Sequence, residues 1–396
     1  MINEEDAFIE YDNQSESEED ITELDQSFFS QAVVSATDWT TETIINQINK
    51  GNIQLNPDFQ RRDAWDKKRK SRFIESLILG LPVPQIVLAE SIDRRGSYIV
   101  LDGKQRLLSI RQFAAERDDN VYVQLKLSSL DIRNDLKGKS LVALREDLDL
   151  FDDLSAFENQ PIRTVVIKNW PNENFLYHVF LRLNTGSVPL SPQELRQALH
   201  PGPFISFLDE ASSGSAALQD ILKLKKPDFR MRDAELLLRY FSFKNYLSMY
   251  SGTLKSFLDY CCSTMNQEWG ELEENTFQQM AEFEEAHLSI KRIFANNAYK
   301  KWIGDTYESR FNRSIFDVLI LSFSESTVRE LSDGKELAIE EAFKELCINP
   351  DFKASIESTT KSLTATHTRI SLWNTKLNEI LGSSLHVPKL VEHRII

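Results

Sequence analysis

Between Tyr98 and Phe113 the hydrophobic period of the chain changes across a polar pentapeptide. Tyr98–Leu101 is a short apolar run with β-branched residues at its centre, which predicts a buried strand. Leu107, Leu108, Ile110, Arg111 and Phe113 then follow at helical spacing. Asp102-Gly103-Lys104-Gln105-Arg106 is therefore expected to be a strand-to-helix turn. A turn of this kind exposes backbone N–H groups at the positive end of a helix, and its glycine lets another group come close, so it suits a phosphate or a similar anion. Lys104 and Arg106 add two cations, and Asp102 can hold a hydroxyl or a metal.

The surrounding pattern predicts an α+β region. Apolar residues at Ile44, Ile45 and Ile48 ahead of Gly51 read as a helix with its stop. A second helix opens at Asp66, runs through a basic first turn into Phe73, Ile74, Leu77 and Ile78, and closes at Gly80 and Pro82. Strands are expected at Ile86–Glu90, Tyr98–Leu101, Val121–Leu127 and Ile162–Lys168. Ser191-Pro192-Gln193-Glu194 is a capping box, so a helix starts at residue 192, preceded by the apolar helix Phe175–Leu183 and a polar elbow at Asn184-Thr185-Gly186. From residue 203 onward only helical spacing is convincing, which predicts a second, all-helical domain. Glu235 and Arg239, four apart there, are expected to pair.

The turn resembles the Asp-Gly-Gln-Gln-Arg signature of the ParB-like family found at the N-terminus of GmrSD-type restriction enzymes, with Lys104 in place of the first Gln. Two further blocks carry the resemblance in the same order: Asn56–Trp65 with Leu81-Pro82-Val83-Pro84, and Phe180–Gly186 with Leu190–Arg196. The resemblance spans residues 40 to 200 and implies a ParB and sulfiredoxin type of fold for an α+β domain over residues 31–202, and the helical spacing beyond it makes 203–396 the helical domain. It also implies a nucleoside-triphosphate pocket in which Gln60, Arg61, Trp65, Gly103, Lys104, Gln105, Asn184, Thr185 and Gly186 bind the nucleotide. Asp102 and Arg106 would act on it, with Asp102 as a Mg²⁺ ligand. The bland alternative is that Asp102 and Arg106 merely close the turn as an ion pair.

A net charge of −15 argues against nucleic acid until its distribution is read. Residues 1–49 hold thirteen acidic and no basic residues, and removing them leaves 48 acidic against 46 basic. The first 30 residues are expected to be an acidic flexible tail. The run Arg61, Arg62, Lys67, Lys68, Arg69, Lys70 and Arg72 packs seven cations into twelve residues, a positive field in which Arg62, Lys67, Lys68 and Lys70 are candidates for DNA contact; the alternative is a solvated helix face. Cys261, Cys262 and Cys347 form no disulfide or metal spacing, and neither a signal peptide nor a membrane span is legible, so a cytoplasmic protein is expected.

The function these features imply is a nucleotide-binding, hydrolysing subunit of a bacterial restriction or anti-phage system, with the cutting done by a separate nuclease. Assembly into oligomers is left open. One alternative is a nonenzymatic adaptor for DNA and protein. Another is a metal-dependent nuclease using Asp102 and Lys104 with Asp58 or Glu75. The six histidines provide no close pair suited to an HNH metal site and no P-loop motif occurs, so an attached HNH domain and an ordinary P-loop NTPase are not expected.

Overall fold

The computed structural model describes residues 31–53, 55, 62–92, 94–183, 191–358 and 360–396. They divide into two compact units: the described residues up to Leu199 with Phe229–Met231, and His200–Asp228 with Arg232–Ile396.

The first unit is α+β. Its four strands are β1 (Val33–Thr40), β2 (Ile86–Glu90), β3 (Tyr98–Asp102) and β4 (Pro161–Lys168). They form one sheet in the order β1-β4-β2-β3. Only the central β2·β4 pair is parallel; β1 and β3 lie antiparallel on their neighbours. Around the sheet run α1 (Thr41–Asn49), α2 (Lys67–Ile78), α3 (Lys104–Phe113), α4 (Leu141–Glu146), α5 (Phe151–Asn159), α6 (Glu173–Leu183) and α7 (Pro192–Leu199). One apolar cluster joins α1, α2 and α3 to β2 and β4 through Ile44, Ile74, Leu77, Leu88, Leu107, Ile110 and Val166. A second joins β3 to α6 and α7 through Leu101, Leu176, Phe180 and Leu195. Each such side chain contributes on the order of 1.5–3 kcal/mol on burial.

Local chemistry sets the helix limits. Asp66 caps α2 by accepting from the Arg69 N–H at 2.7 Å, and Gly80 ends it with φ +69°. The expected strand at Val121–Leu127 is not one. Its alternation is real, with Tyr122, Leu125 and Leu127 buried and Val121 and Val123 exposed, yet among the described residues no strand pairs with it. Its backbone is instead satisfied by Leu125 N–H on Gln112 O at 2.8 Å and Leu127 N–H on Lys139 O at 2.9 Å. Alternation reports two-sided exposure, and a loop pressed along a helix end satisfies it as well as a sheet does. Conversely β1 gave no signal, because Val33–Thr40 is an edge strand exposed on most of its length.

The second unit is helical: α8 (Pro203–Gly214), α9 (Ala216–Ile221), α10 (Arg232–Tyr246), α11 (Leu254–Gln267), α12 (Trp269–Phe294), α13 (Arg313–Phe323), α14 (Ser326–Leu331), α15 (Glu336–Ile348), α16 (Pro350–Glu357) and α17 (Leu363–Leu381). A two-strand hairpin, β5 (Leu390–Val391) with β6 (Arg394–Ile395), was not expected. The core gathers Phe241, Phe283, Phe316, Phe343, Trp373 and Leu377. All three cysteines are buried and outside any disulfide, and burial pushes the Cys347 thiol up to about 12.

The expected Glu235–Arg239 pair does not form. Arg239 turns inward to the Asp317 carboxylate on α13, with Nε to Oδ1 at 3.0 Å, and Glu235 lies instead near Arg313 at 3.5 Å. A long-range partner one helix away won over the neighbour four residues back. Arg232 clasps Asp228 with its Nε and Nη2 at 2.9 and 3.0 Å.

Candidate functional site

The pentapeptide forms the turn that its composition implies. β3 ends at Asp102, paired with Val87 across β2, and α3 begins at Lys104. Gly103 between them has φ +99°, a conformation unfavourable to residues with a Cβ. A Cβ there would also stand 3.1 Å from Ile86 Cγ1 and 3.3 Å from both Nε and Nη2 of Arg106. Gly103 offers no side-chain cap to the start of α3, so among the described residues its positive end is left to its surroundings.

Arg106 folds back over this glycine. Its Nη2 donates to Asp102 Oδ2 at 2.7 Å and to Gln85 O at 3.0 Å. The Arg106 side chain is 8% exposed and that of Asp102 36%. The ion pair that sequence allowed as the bland reading is therefore present. It does not satisfy the guanidinium, because Arg106 Nε is buried with no hydrogen-bond partner, as is Gln105 Oε1. A buried donor left unpaired costs about 1–3 kcal/mol, and an incoming acceptor would recover it.

Lys104 is engaged within the first unit. Its buried ammonium bonds Glu194 Oε1 at 2.5 Å, tying the first residue of α3 to α7. Glu194 Oε2 simultaneously accepts from Ser191 N–H at 2.8 Å, and Ser191 Oγ accepts from Glu194 N–H at 3.1 Å, completing the capping box. The capping motif was legible in sequence; the second use of its glutamate was not.

The basic run separates into distinct environments. Arg62 is 1% exposed and Lys70 5%, so both leave the solvent face on which they were expected. Lys70 Nζ pairs with Asp63 and donates to Gln112 Oε1 at 2.6 Å, and burial lowers its pKa to about 8. Arg72 pairs with Asp131. Trp65 stacks edge-on to Phe73 at 5.6 Å, and Arg69 lies 4.6 Å over the Trp65 ring. Lys67 and Lys68 remain exposed. Helical periodicity makes this division unavoidable, since positions three residues apart share a face with the buried Phe73 and Leu77. Gln60 and Arg61, like Asn184, Thr185, Gly186 and Asp58, lie outside the described residues.

Glu75, a candidate metal ligand in the nuclease alternative, is occupied elsewhere. Its carboxylate accepts from the N–H groups of Asp131, Ile132 and Arg133 at 3.0, 2.8 and 2.7 Å. Burial raises its pKa, but these three donors and the charge of Arg72 outweigh that and hold it below the ordinary value of 4.5. Because the folded pKa is the lower one, the stabilisation is complete above the ordinary value and is lost as pH falls through the folded one. Glu75→Gln is accordingly expected to cost about 1–3 kcal/mol at pH 7 and to flatten the acid limb of a stability-against-pH curve below pH ~4.5. Urea unfolding at a series of pH values checks this; an unchanged acid limb would refute the pinning role.

Residues 41–201 match a family described as GmrSD restriction endonuclease, N-terminal domain. Neither curated proteins nor solved structures yield a match to the chain.

Proposed function

With residues 41–201 forming a GmrSD-type N-terminal domain, we propose that this restriction-related chain binds and slowly hydrolyses a nucleoside triphosphate at the Asp102–Arg106 turn. It would do so as the sensing subunit of a cytoplasmic system against foreign DNA, with a separate nuclease as partner. The observation that carries the reading is the uncapped start of α3 beside a buried guanidinium whose Nε lacks an acceptor. Backbone N–H groups, a left-handed glycine and a fixed arginine are the parts a phosphate needs. Arg106 supplies the charge, and Lys104 holds α7 against the turn. Gln60, Arg61, Asn184, Thr185 and Gly186 complete the pocket in this proposal, and Trp65 flanks it.

Magnesium fits the turn only modestly. Asp102 Oδ2 is engaged by Arg106, and among the described residues none donates to its Oδ1. One carboxylate oxygen suits a Mg²⁺ ion that keeps its waters and is held mainly by the phosphates. The ion would supply charge neutralisation at the transferring phosphoryl group. The chain's own contribution is positioning and electrostatic stabilisation by groups already in place.

The test is titration of the full chain with ATP, GTP and CTP, with and without Mg²⁺ and DNA, recording both binding and phosphate release. Arg106→Met is expected to weaken binding about 10–100-fold, the equivalent of one charge-assisted contact. Asp102→Asn is expected to tighten Mg²⁺-free binding by releasing the guanidinium, and to remove the Mg²⁺ dependence. Absence of saturable binding by the wild-type chain, or undiminished binding by a folded Arg106→Met protein, overturns the proposal. Binding without phosphate release identifies the adaptor alternative.

A further inference from the structure

A second cationic feature lies wholly within the helical unit, in segments to which sequence gave no role. His287 on α12 bridges two of them. Its Nε2 meets Asp220 Oδ2 at 2.8 Å and its Nδ1 meets the Tyr299 hydroxyl at 3.0 Å. Asp220 lies in the last turn of α9, and Tyr299 lies beyond α12, so the loop leaving α9 is pinned beside residues 299 and 300. Lys223 and Tyr299 both take left-handed backbone angles, φ +53° and +61°, where the chain reverses at this junction.

The consequence is a meeting of like charges. Burial, together with the charge of the adjacent Lys223, holds the Lys300 ammonium below its ordinary pKa. Lys223, Lys225 and Lys226 are exposed along one loop. Chain geometry limits Lys223 to Lys226 to no more than roughly 11 Å. The nearby carboxylates are committed: Asp220 to Lys291 at 2.7 Å and to His287, Glu284 to Ser215 and to the Ala217 N–H at 3.0 Å. Among the described residues, Lys225, Lys226 and Lys300 have no ion pair. In a chain of net charge −15, where most buried and half-buried cations have an acid, these three ammonium groups make a local excess of positive charge.

We propose that Lys223, Lys225, Lys226 and Lys300 contact the phosphodiester backbone of a nucleic acid, as a surface separate from the Asp102–Arg106 turn. The chemistry favours a polymer over a single small anion. The lysines stand on long stems spread along an exposed loop. A repeating anion meets several such ammonium groups at once and releases its own counterions in doing so. Lysines, as compact point charges on flexible stems, position a backbone without reading bases. The inference rests on the reading that the protein works on DNA, and is independent of whether it binds a nucleotide.

The experiment uses the full chain and a fluorescein-labelled 30-base-pair duplex, with anisotropy recorded between 50 and 300 mM KCl. Lys223→Glu/Lys225→Glu/Lys226→Glu is expected to weaken duplex binding at least 10-fold and to lower the slope of log K against log salt by about 2–3. Lys300→Gln should reduce the slope by about 1, and Lys353→Glu, an exposed lysine on α16, should leave it unchanged. ATP titration of the same variants separates the two sites, since the triple variant should retain whatever nucleotide affinity the wild type has. The proposal is overturned if the wild type does not bind duplex, if the triple variant keeps its affinity and slope, or if Lys353→Glu loses as much. Binding to vesicles containing phosphatidylserine that is lost in the triple variant, without duplex binding, would assign the surface to a membrane and overturn it equally.

Discussion

Asp317→Ala is expected to lower the melting temperature of the helical unit by roughly 6–20 °C. Asp317 is 1% exposed and is the anion between two buried guanidiniums, Arg239 at 3% and Arg369 at 2%. Arg239 grips it through two nitrogens, and Arg369 Nη2 lies 3.7 Å from Oδ2 while its Nη1 donates to Thr360 O at 2.6 Å. Burial lowers the pKa of Arg369, and Asp317 opposes that shift. Removing the carboxylate leaves two positive charges in the interior, Arg369 facing carbonyl oxygens and Arg239 without the carboxylate it grips, at a cost of about 3–5 kcal/mol. A unit of this size loses about 2–4 °C for each kcal/mol, which gives the range.

The comparison that makes this specific is replacement of the whole group. Arg239→Met/Asp317→Leu/Arg369→Met exchanges the charges for apolar volume and is expected to recover most of the loss, because the desolvation cost disappears together with the attraction. Differential scanning calorimetry of both variants decides it. A single variant within 2 °C of wild type would mean that water reaches the cluster and that the charges were never isolated.

This cluster also shows where sequence reasoning stops. The helices around it were legible from 3.6-residue spacing: α10, α11, α13 and α17 all lie in the stretch beyond residue 203 that was expected to be helical. Periodicity identifies the face of a helix that is buried, and it cannot say which charged residue will be carried into that face. Arg239 read as half of a surface pair because Glu235 stood four residues before it. Its actual partner is 78 residues away. The same limit applied to the basic run, where Lys70 counted as surface charge until the packing of α2 on α3 put it beside Gln112. The turn itself was legible because strand, glycine and helix are all local signals. The two segments expected to close over it come from distant parts of the chain, and no local pattern could place them.

The signature that this turn resembles has glutamine where this chain has Lys104, so Lys104→Gln restores that signature, yet it is expected to destabilise the first unit by about 3–5 kcal/mol. The lysine is matched to Glu194, with both side chains about 5% exposed. Glutamine would leave a buried carboxylate with one backbone donor, Ser191 N–H, and no cation. Lys104→Gln/Glu194→Gln should regain at least half of that loss. Two amides can bond each other without a buried charge, and glutamine at the third helical position preserves the capping box with Ser191. A double-mutant cycle by urea unfolding measures the coupling, and additive losses from the two substitutions would disprove the pairing. The same variants discriminate function. If Arg106 is the cation that grips phosphate, the double variant binds nucleotide as the wild type does. If Lys104 reaches the ligand directly, the double variant refolds its stability but not its affinity, and the roles assigned to the two cations must be exchanged.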